Sequence, residues 1–314
     1  MQGNLGKLRL LAFLALMLQA VLGQAASLHG KFSIADWVAI NPDLKGATFV
    51  HSSTKCMECH EQYIEKFSMS KMGRSLPAGS CEDCHGPMSK HLAEPRHSPP
   101  FVVSFMHGKL STDQKSSVCL QCHQDGQQMH WSTSIHASAG NTCVNCHKVM
   151  AMSDPVQDRM DQPDVCFTCH MDKRAQMHEY SHHPIMDGKV VCSDCHNPHG
   201  SAGPYQLVKN TVNEVCYQCH AEKRGPFLWE HQPVMEDCTN CHNPHGTNNP
   251  RMLKVRMPYL CEQCHGQAYH PATLYTGTGI PPNGAAQQLL GRSCTNCHSM
   301  IHGSNSPSGS HFLR

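Results

Sequence analysis

Cys238-Thr239-Asn240-Cys241-His242-Asn243-Pro244-His245-Gly246 decides the class of this chain. Two thiols separated by two residues can add across the two vinyl groups of one porphyrin. The histidine that follows at once is placed to bind the iron. Cys-x-x-Cys-His is thus the attachment signature of a c-type haem. The same unit holds Cys56 and Cys59, Cys81 and Cys84, Cys119 and Cys122, Cys143 and Cys146, and Cys166 and Cys169. It recurs at Cys192 and Cys195, Cys216 and Cys219, Cys238 and Cys241, Cys261 and Cys264, and Cys294 and Cys297. Ten copies use all 20 cysteines, so none remains for a structural disulfide, an iron–sulfur cluster or a lipid anchor. Structural zinc wants four Cys or His ligands in paired clusters and gives no reason for a histidine to follow the second cysteine every time. The motifs therefore predict ten c-type haems.

The chain begins with Lys7 and Arg9, an apolar run from Leu10 to Leu18, and small residues at Gly23, Ala25 and Ala26. This is the pattern of a secretory signal peptide over 1–25, cleaved after Ala25. The run is too short to span a bilayer comfortably. Covalent haem attachment fits export to a bacterial periplasm.

At 314 residues with 39% hydrophobic and 6% aromatic content, the chain has little apolar material once its cysteines are thioether-linked. Roughly one macrocycle per thirty mature residues makes the porphyrins the core, as metals do for small domains that cannot build one. The fold class expected is a multihaem cytochrome c: mostly irregular, with short α-helices, little or no sheet, and an elongated chain of haems. Haem binding and folding are then one free energy, so the apo chain should be largely unfolded. The formal charge is +1. Loss of Lys7 and Arg9 leaves −1, and two ionised propionates against one cationic iron centre per haem bring the total to about −11. A nucleic-acid partner is not expected from that balance.

Successive motifs start 22 to 38 residues apart and alternate in kind. The residue before the second cysteine is Asp or Asn in each even motif and never in an odd one. This alternation predicts an internal repeat of two haems and a quasi-one-dimensional array. The divisions expected are an extension over 26–50, a decahaem domain over 51–302, and a flexible tail over 303–314. The domain divides into di-haem modules near 51–107, 108–160, 161–210, 211–255 and 256–302. Segments after odd motifs, such as 61–72 and 171–180, read as helical. Even motifs lead into turns, twice as Asn-Pro-His-Gly. Loops are expected around Pro95, Pro99 and Pro100 and over 276–285.

Of 26 histidines, ten are proximal ligands: His60, His85, His123, His147, His170, His196, His220, His242, His265 and His298. The remainder suffice for a sixth ligand on every iron. His136, His182 and His231 precede even motifs; His91, His199, His245 and His302 follow them. His130, His178 and His270 follow odd motifs, and His51 and His107 precede them. His29, His97, His183 and His311 fit no class. His182 is preferred to His183 because it shares a His-x-Pro pattern with His231. Met72 joins the distal candidates: aligning Phe67–Met72 with Trp131–His136 sets it where His136 stands, and no histidine occurs between His60 and His85. It is expected on an early haem, in the first module, and His/Met ligation would raise that potential. An iron with two protein ligands has no site for substrate, so such haems move electrons. No catalytic constellation stands out.

Ten such motifs, an exported N-terminus and repeated Cys-His-Asn-Pro-His-Gly resemble the periplasmic decahaem c-type cytochromes of the MtrA, PioA, MtoA and DmsE type, over essentially the whole mature chain. That resemblance implies an elongated haem wire threaded into an outer-membrane β-barrel protein. It would pass electrons between periplasmic carriers and the cell exterior, in extracellular Fe(II) oxidation or metal or DMSO reduction. The implied partners are the barrel, periplasmic cytochromes and, in some members, an outer-surface cytochrome. Two other readings stand beside it: a multihaem reductase with one open iron, and a soluble periplasmic shuttle.

Overall fold

The computed structural model describes residues 32–76, 81–97, 100–106, 110–266 and 293–313. The signal-peptide reading, the whole 276–285 insert, His29, His107 and His270 lie outside them. Two compact units form: 1–129 with 137–153, and 130–136 with 154–314.

Short helices and turns make up both units, as the composition requires. Among the described residues the longest helix is Ser53–Met69, at 17 residues, and no strand forms beyond isolated bridges. Also among them, no helix is long and apolar enough to cross a membrane. The helix after the first motif is the one expected over 61–72, except that it breaks at Ser70, whose N–H turns back to the Phe67 carbonyl. A short second helix, Lys71–Ser75, follows. Met171–Met177 is helical as expected.

The first unit owns an apolar core. Trp37, Ile40, Leu44 and Ala47 come from the N-terminal extension and pack with Val103 and Val118. The extension starts with the helix Ile34–Ile40, closed by a capping box between Ser33 and Asp36. Burying Trp37 and Leu44 contributes about 1.5–3 kcal/mol per side chain. Cys84 packs at the edge of this core, so the extension seats the second motif. Glu82, buried within that motif, accepts the N–H groups of Val50, His51 and Met88. A buried carboxylate is tolerable when its lone pairs are filled in this way.

Among the described residues, the second unit has a small apolar cluster, Phe167, Met177 and Ile185 with Val190. Repeated turns organise it instead. After the sixth motif, Gly200 N–H closes on Asn197, and after the eighth, Gly246 N–H closes on Asn243. Both glycines are required. Gly200 has φ +101° with the His130 backbone against it, and Gly246 has φ +141° with the Gln176 carbonyl 2.1 Å from where a Cβ would sit.

The tail over 303–314 is not a free end through its described part. Ser304 is fully buried and pairs with Trp229 in both backbone directions. Gly309–His311 forms a turn, and Met300 N–H reaches the Phe312 carbonyl. Serine and glycine in this tail serve tight turns against the tenth motif rather than freedom.

Candidate haem-binding sites

The cysteines come first, because they fix where macrocycles can sit. The first thiol of each odd motif lies in hydrogen-bonding reach of the first thiol of the next even motif. The pairs are Cys56 with Cys81, Cys119 with Cys143, Cys166 with Cys192, Cys216 with Cys238, and Cys261 with Cys294. Even motifs in turn approach the following odd ones: Cys84 is near Cys122, Cys195 near Cys216 and Cys219, and Cys241 near Cys264. Burial, then the charges of Asp83 and neighbouring thiols, pushes the Cys84 thiol up to about 11. Conversion to a thioether removes that ionisation altogether.

The histidines then face one another across gaps of one size. Ring centroids lie 6.2 Å apart for His60 and His91, 6.0 Å for His136 and His170, and 6.3 Å for His183 and His220. They lie 6.2 Å apart for His196 and His245, 6.1 Å for His231 and His265, and 6.2 Å for His242 and His302. A metal–imidazole bond is about 2.0 Å and a ring nitrogen lies about 1.1 Å from its centroid, so one metal between two imidazoles requires about 6.2 Å. Each pair contains one histidine of a motif. The donor set and the spacing fit a six-coordinate haem iron.

Four motif histidines have their Nδ1 held by a backbone carbonyl. His85 Nδ1 donates to Val103, His196 Nδ1 to Tyr205, His242 Nδ1 to Arg251 and His298 Nδ1 to His311. This leaves Nε2 for the metal and raises the basicity of the ligand. The supporting backbone is strained where it does this. Tyr205 and Gln206 have φ of 53° and 55°, and Arg251 and Met252 have 61° and 56°. Each such pair of non-glycine residues costs of order 1–3 kcal/mol per position, offset by the carbonyls it aims. Tyr205 and Arg251 serve His196 and His242, while Gln206 and Met252 accept the N–H groups of Asn197 and Asn243. These carbonyl straps escaped the sequence reading, although Pro204 and Pro250 stand eight residues after their motif histidines and begin both.

On the far side, His136 Nδ1 donates to Pro198 and His183 Nδ1 to Pro244, each at 2.8 Å. The Ile301 carbonyl stands beside His231 and favours its protonated form, against burial and His265, which lower its pKa. Burial first, then Lys173, pushes His245 down to about 4; burial and Lys223 do the same to His302, to about 4. Both are therefore neutral, the form that binds metal.

Among the distal candidates, His91, His136, His231, His245 and His302 face motif histidines as described. The sequence pattern prefers His182; in the structure His183 faces His220, while His182 turns its Nδ1 to the His183 carbonyl. The His183 ring is held by its Nδ1 bond to the Pro244 carbonyl. Outside these pairs, His51 stacks on Phe49, His199 lies beside Trp131, and His178 ends the helix Met171–Met177. His130 supplies its backbone carbonyl to Thr133. Met72 is the second residue of Lys71–Ser75 and is half-buried.

Comparison with known proteins agrees with this geometry. Residues 182–225 and 231–270 match the doubled CXXCH motif family, and residues 81–162 match the NrfB-like cytochrome c-type protein family. Multiheme cytochrome MtrA of Shewanella baltica is 45% identical over 264 residues, covering 81% of this chain and 79% of that protein. The chain belongs to the MtrA family of multihaem cytochromes. Its c-type haems make it an electron-transfer protein. Cytochrome c-type protein NrfB of Escherichia coli is 29% identical over 129 residues, 34% of this chain and 66% of that protein. Each doubled CXXCH match encloses one facing pair, His183 with His220 in the first and His231 with His265 in the second.

Proposed function

We propose that this MtrA-family cytochrome carries ten c-type haems in five di-haem modules and conducts electrons between periplasmic carriers and the cell exterior, seated within an outer-membrane β-barrel protein. The observation that carries the reading is the set of facing imidazoles. A haem closed on both sides exchanges electrons but offers no site to substrate, and its potential follows axial ligation, hydrogen bonding and burial. The serial contacts between cysteines of successive motifs, along each unit, support short tunnelling steps in chain order. His91, His136, His183, His231, His245 and His302 are the distal ligands in this reading.

The barrel follows from solvation. Polar turns and unpaired backbone cannot face hydrocarbon, so a wire of this kind crosses a membrane only inside a protein sheath. Periplasmic and outer-surface cytochromes would load and unload its ends. Both directions of flow use the same path. Co-expression with the candidate barrel should give a stable one-to-one complex on size-exclusion chromatography. Elution of the cytochrome alone, fully haem-loaded, would overturn the barrel assignment.

A further inference from the structure

We propose that Met150 and Met72 are the sixth ligands of the haems on His85 and His123, so that two adjacent haems of the first unit have His/Met rather than His/His coordination. The proposal rests on haem attachment at these motifs, which the mass of the holoprotein reports separately.

The facing pairs of the second unit obey two registers. In the first, a histidine seven to nine residues ahead of an even motif faces the motif histidine of the next odd one. His136, His183 and His231 stand 7, 9 and 7 residues ahead of Cys143, Cys192 and Cys238. They face His170, His220 and His265. In the second, a histidine three or four residues after an even motif faces the motif histidine of the even motif before it. His245 and His302 face His196 and His242 in this way.

Continued into the first unit, the first register calls for a ligand ahead of Cys81 that reaches His123. Met72 stands 9 residues ahead of Cys81. The second register calls for a ligand just after the fourth motif that reaches His85. Met150 stands three residues after His147, the offset of His245 from His242. All four residues belong to the first unit.

The local backbone agrees at both places. Ser70 has φ −69° and ψ 161°, and Ser134 has φ −70° and ψ 154°. Both are buried, both turn their N–H back three residues, to Phe67 and Trp131, and both open a short helix. The second residue of that helix is Met72 in one case and His136 in the other. After the fourth motif, Ala151 N–H closes on the Lys148 carbonyl at 2.9 Å. That is the turn closed by Gly200 on Asn197 and by Gly246 on Asn243. Its third residue is Met150, where the others hold His199 and His245. Each methionine therefore occupies a histidine's place in a repeated fold, which a residue that merely packs on a porphyrin need not do.

The two places are also linked. His136 Nδ1 donates to Pro198, the residue before His199, and His183 Nδ1 to Pro244, the residue before His245. The corresponding partners in the first unit are Met72 and Val149, the residue before Met150. A thioether has no N–H to give, so Met72 cannot donate to Val149 as His136 and His183 donate to Pro198 and Pro244. Met88, also three residues after a motif histidine, follows the second motif and has no earlier even motif to serve. His91 from that segment faces His60 instead.

The expectation that Met72 serves the first module thus moves to the haem on His123. Thioether ligation raises the potential relative to two imidazoles. Two of the ten haems, next to each other in chain order, then form a higher-potential step where electrons dwell.

The test is the oxidised holoprotein's near-infrared magnetic circular dichroism, with a parallel spectroelectrochemical titration. The wild type should show the thioether-to-iron signature with the intensity of two haems in ten. M72H and M150H should each halve it and shift one haem to lower potential, and the double variant should abolish it. Haem content and the remaining bis-imidazole bands report folding. Should a histidine variant fail to load, Met150→Leu or Met72→Leu should create one high-spin haem that binds CO. Bis-imidazole bands alone in the wild type would overturn the proposal and assign a histidine such as His51 or His107. A signal unchanged by one substitution would remove that methionine from it. Mass short of full haem loading would instead be the failure of the ten-haem reading.

Discussion

His183→Ala and His182→Ala separate geometry from pattern at adjacent residues. Both imidazoles are tied by Nδ1, His183 to Pro244 at 2.8 Å and His182 to the His183 carbonyl at 2.7 Å. Only His183 has a motif ring opposite it, His220, at 6.3 Å. Removing His183 should leave the haem on His220 with five ligands from porphyrin and protein, one haem in ten. The reduced variant should then bind one equivalent of CO, and a high-spin electron paramagnetic resonance signal of that stoichiometry should appear on oxidation. The lost bond to Pro244 costs a further 0.5–1.5 kcal/mol or so, too little to unfold the chain. His182→Ala should bind no CO and lose a similar small amount of stability. Uptake of CO by the His182 variant and none by the His183 variant would refute the reasoning from ring spacing.

Gly246→Ala should destabilise the holoprotein by a few kcal/mol, because it combines a positive φ with a Cβ 2.1 Å from the Gln176 carbonyl; thermal melting and the spectrum of the His196 haem would show it together. Ending the chain after His302 removes the His311 carbonyl from His298 Nδ1; the weaker ligand basicity should raise the potential of that haem, read by redox titration, while the other haems stay in place. Arg159→Ala breaks an ion pair with Asp194 whose side chains are 52% and 40% exposed; stability should change by less than about 1 kcal/mol, and a larger loss in chemical denaturation would mark the bond as structural. Expression without haem maturation should yield a chain lacking most of its far-ultraviolet helicity, with residual structure confined to the Trp37 core of the first unit.

Much of this was legible in the residues. Cys-x-x-Cys-His states its own chemistry, and the alternation of even and odd motifs marks a two-haem repeat. The two Asn-Pro-His-Gly turns fix their backbone locally, yet His245 faces a motif ring while His199 lies beside Trp131. What the sequence hid was long-range. His182 and His183 are neighbours, and choosing between them depends on Pro244, 61 residues away from His183. The straps at Tyr205 and Arg251 use left-handed backbone at non-glycine residues, for which composition gives no signal. The tail looked free because its serines and glycines suit flexible segments, yet Ser304 is held by Trp229, far back in the chain. The apolar extension at Trp37 gave no hint of its role until its packing against Cys84 was seen.

Conduction is the central claim, and vesicles test it most directly. The cytochrome, co-purified with its barrel, would be inserted into liposomes that enclose a redox dye, with a membrane-impermeant reductant added outside. The account predicts that the haems reduce together and that the enclosed dye follows, in the presence of the complex and not of the barrel alone. Rapid reduction of the exposed haems with no electrons reaching the dye would contradict it.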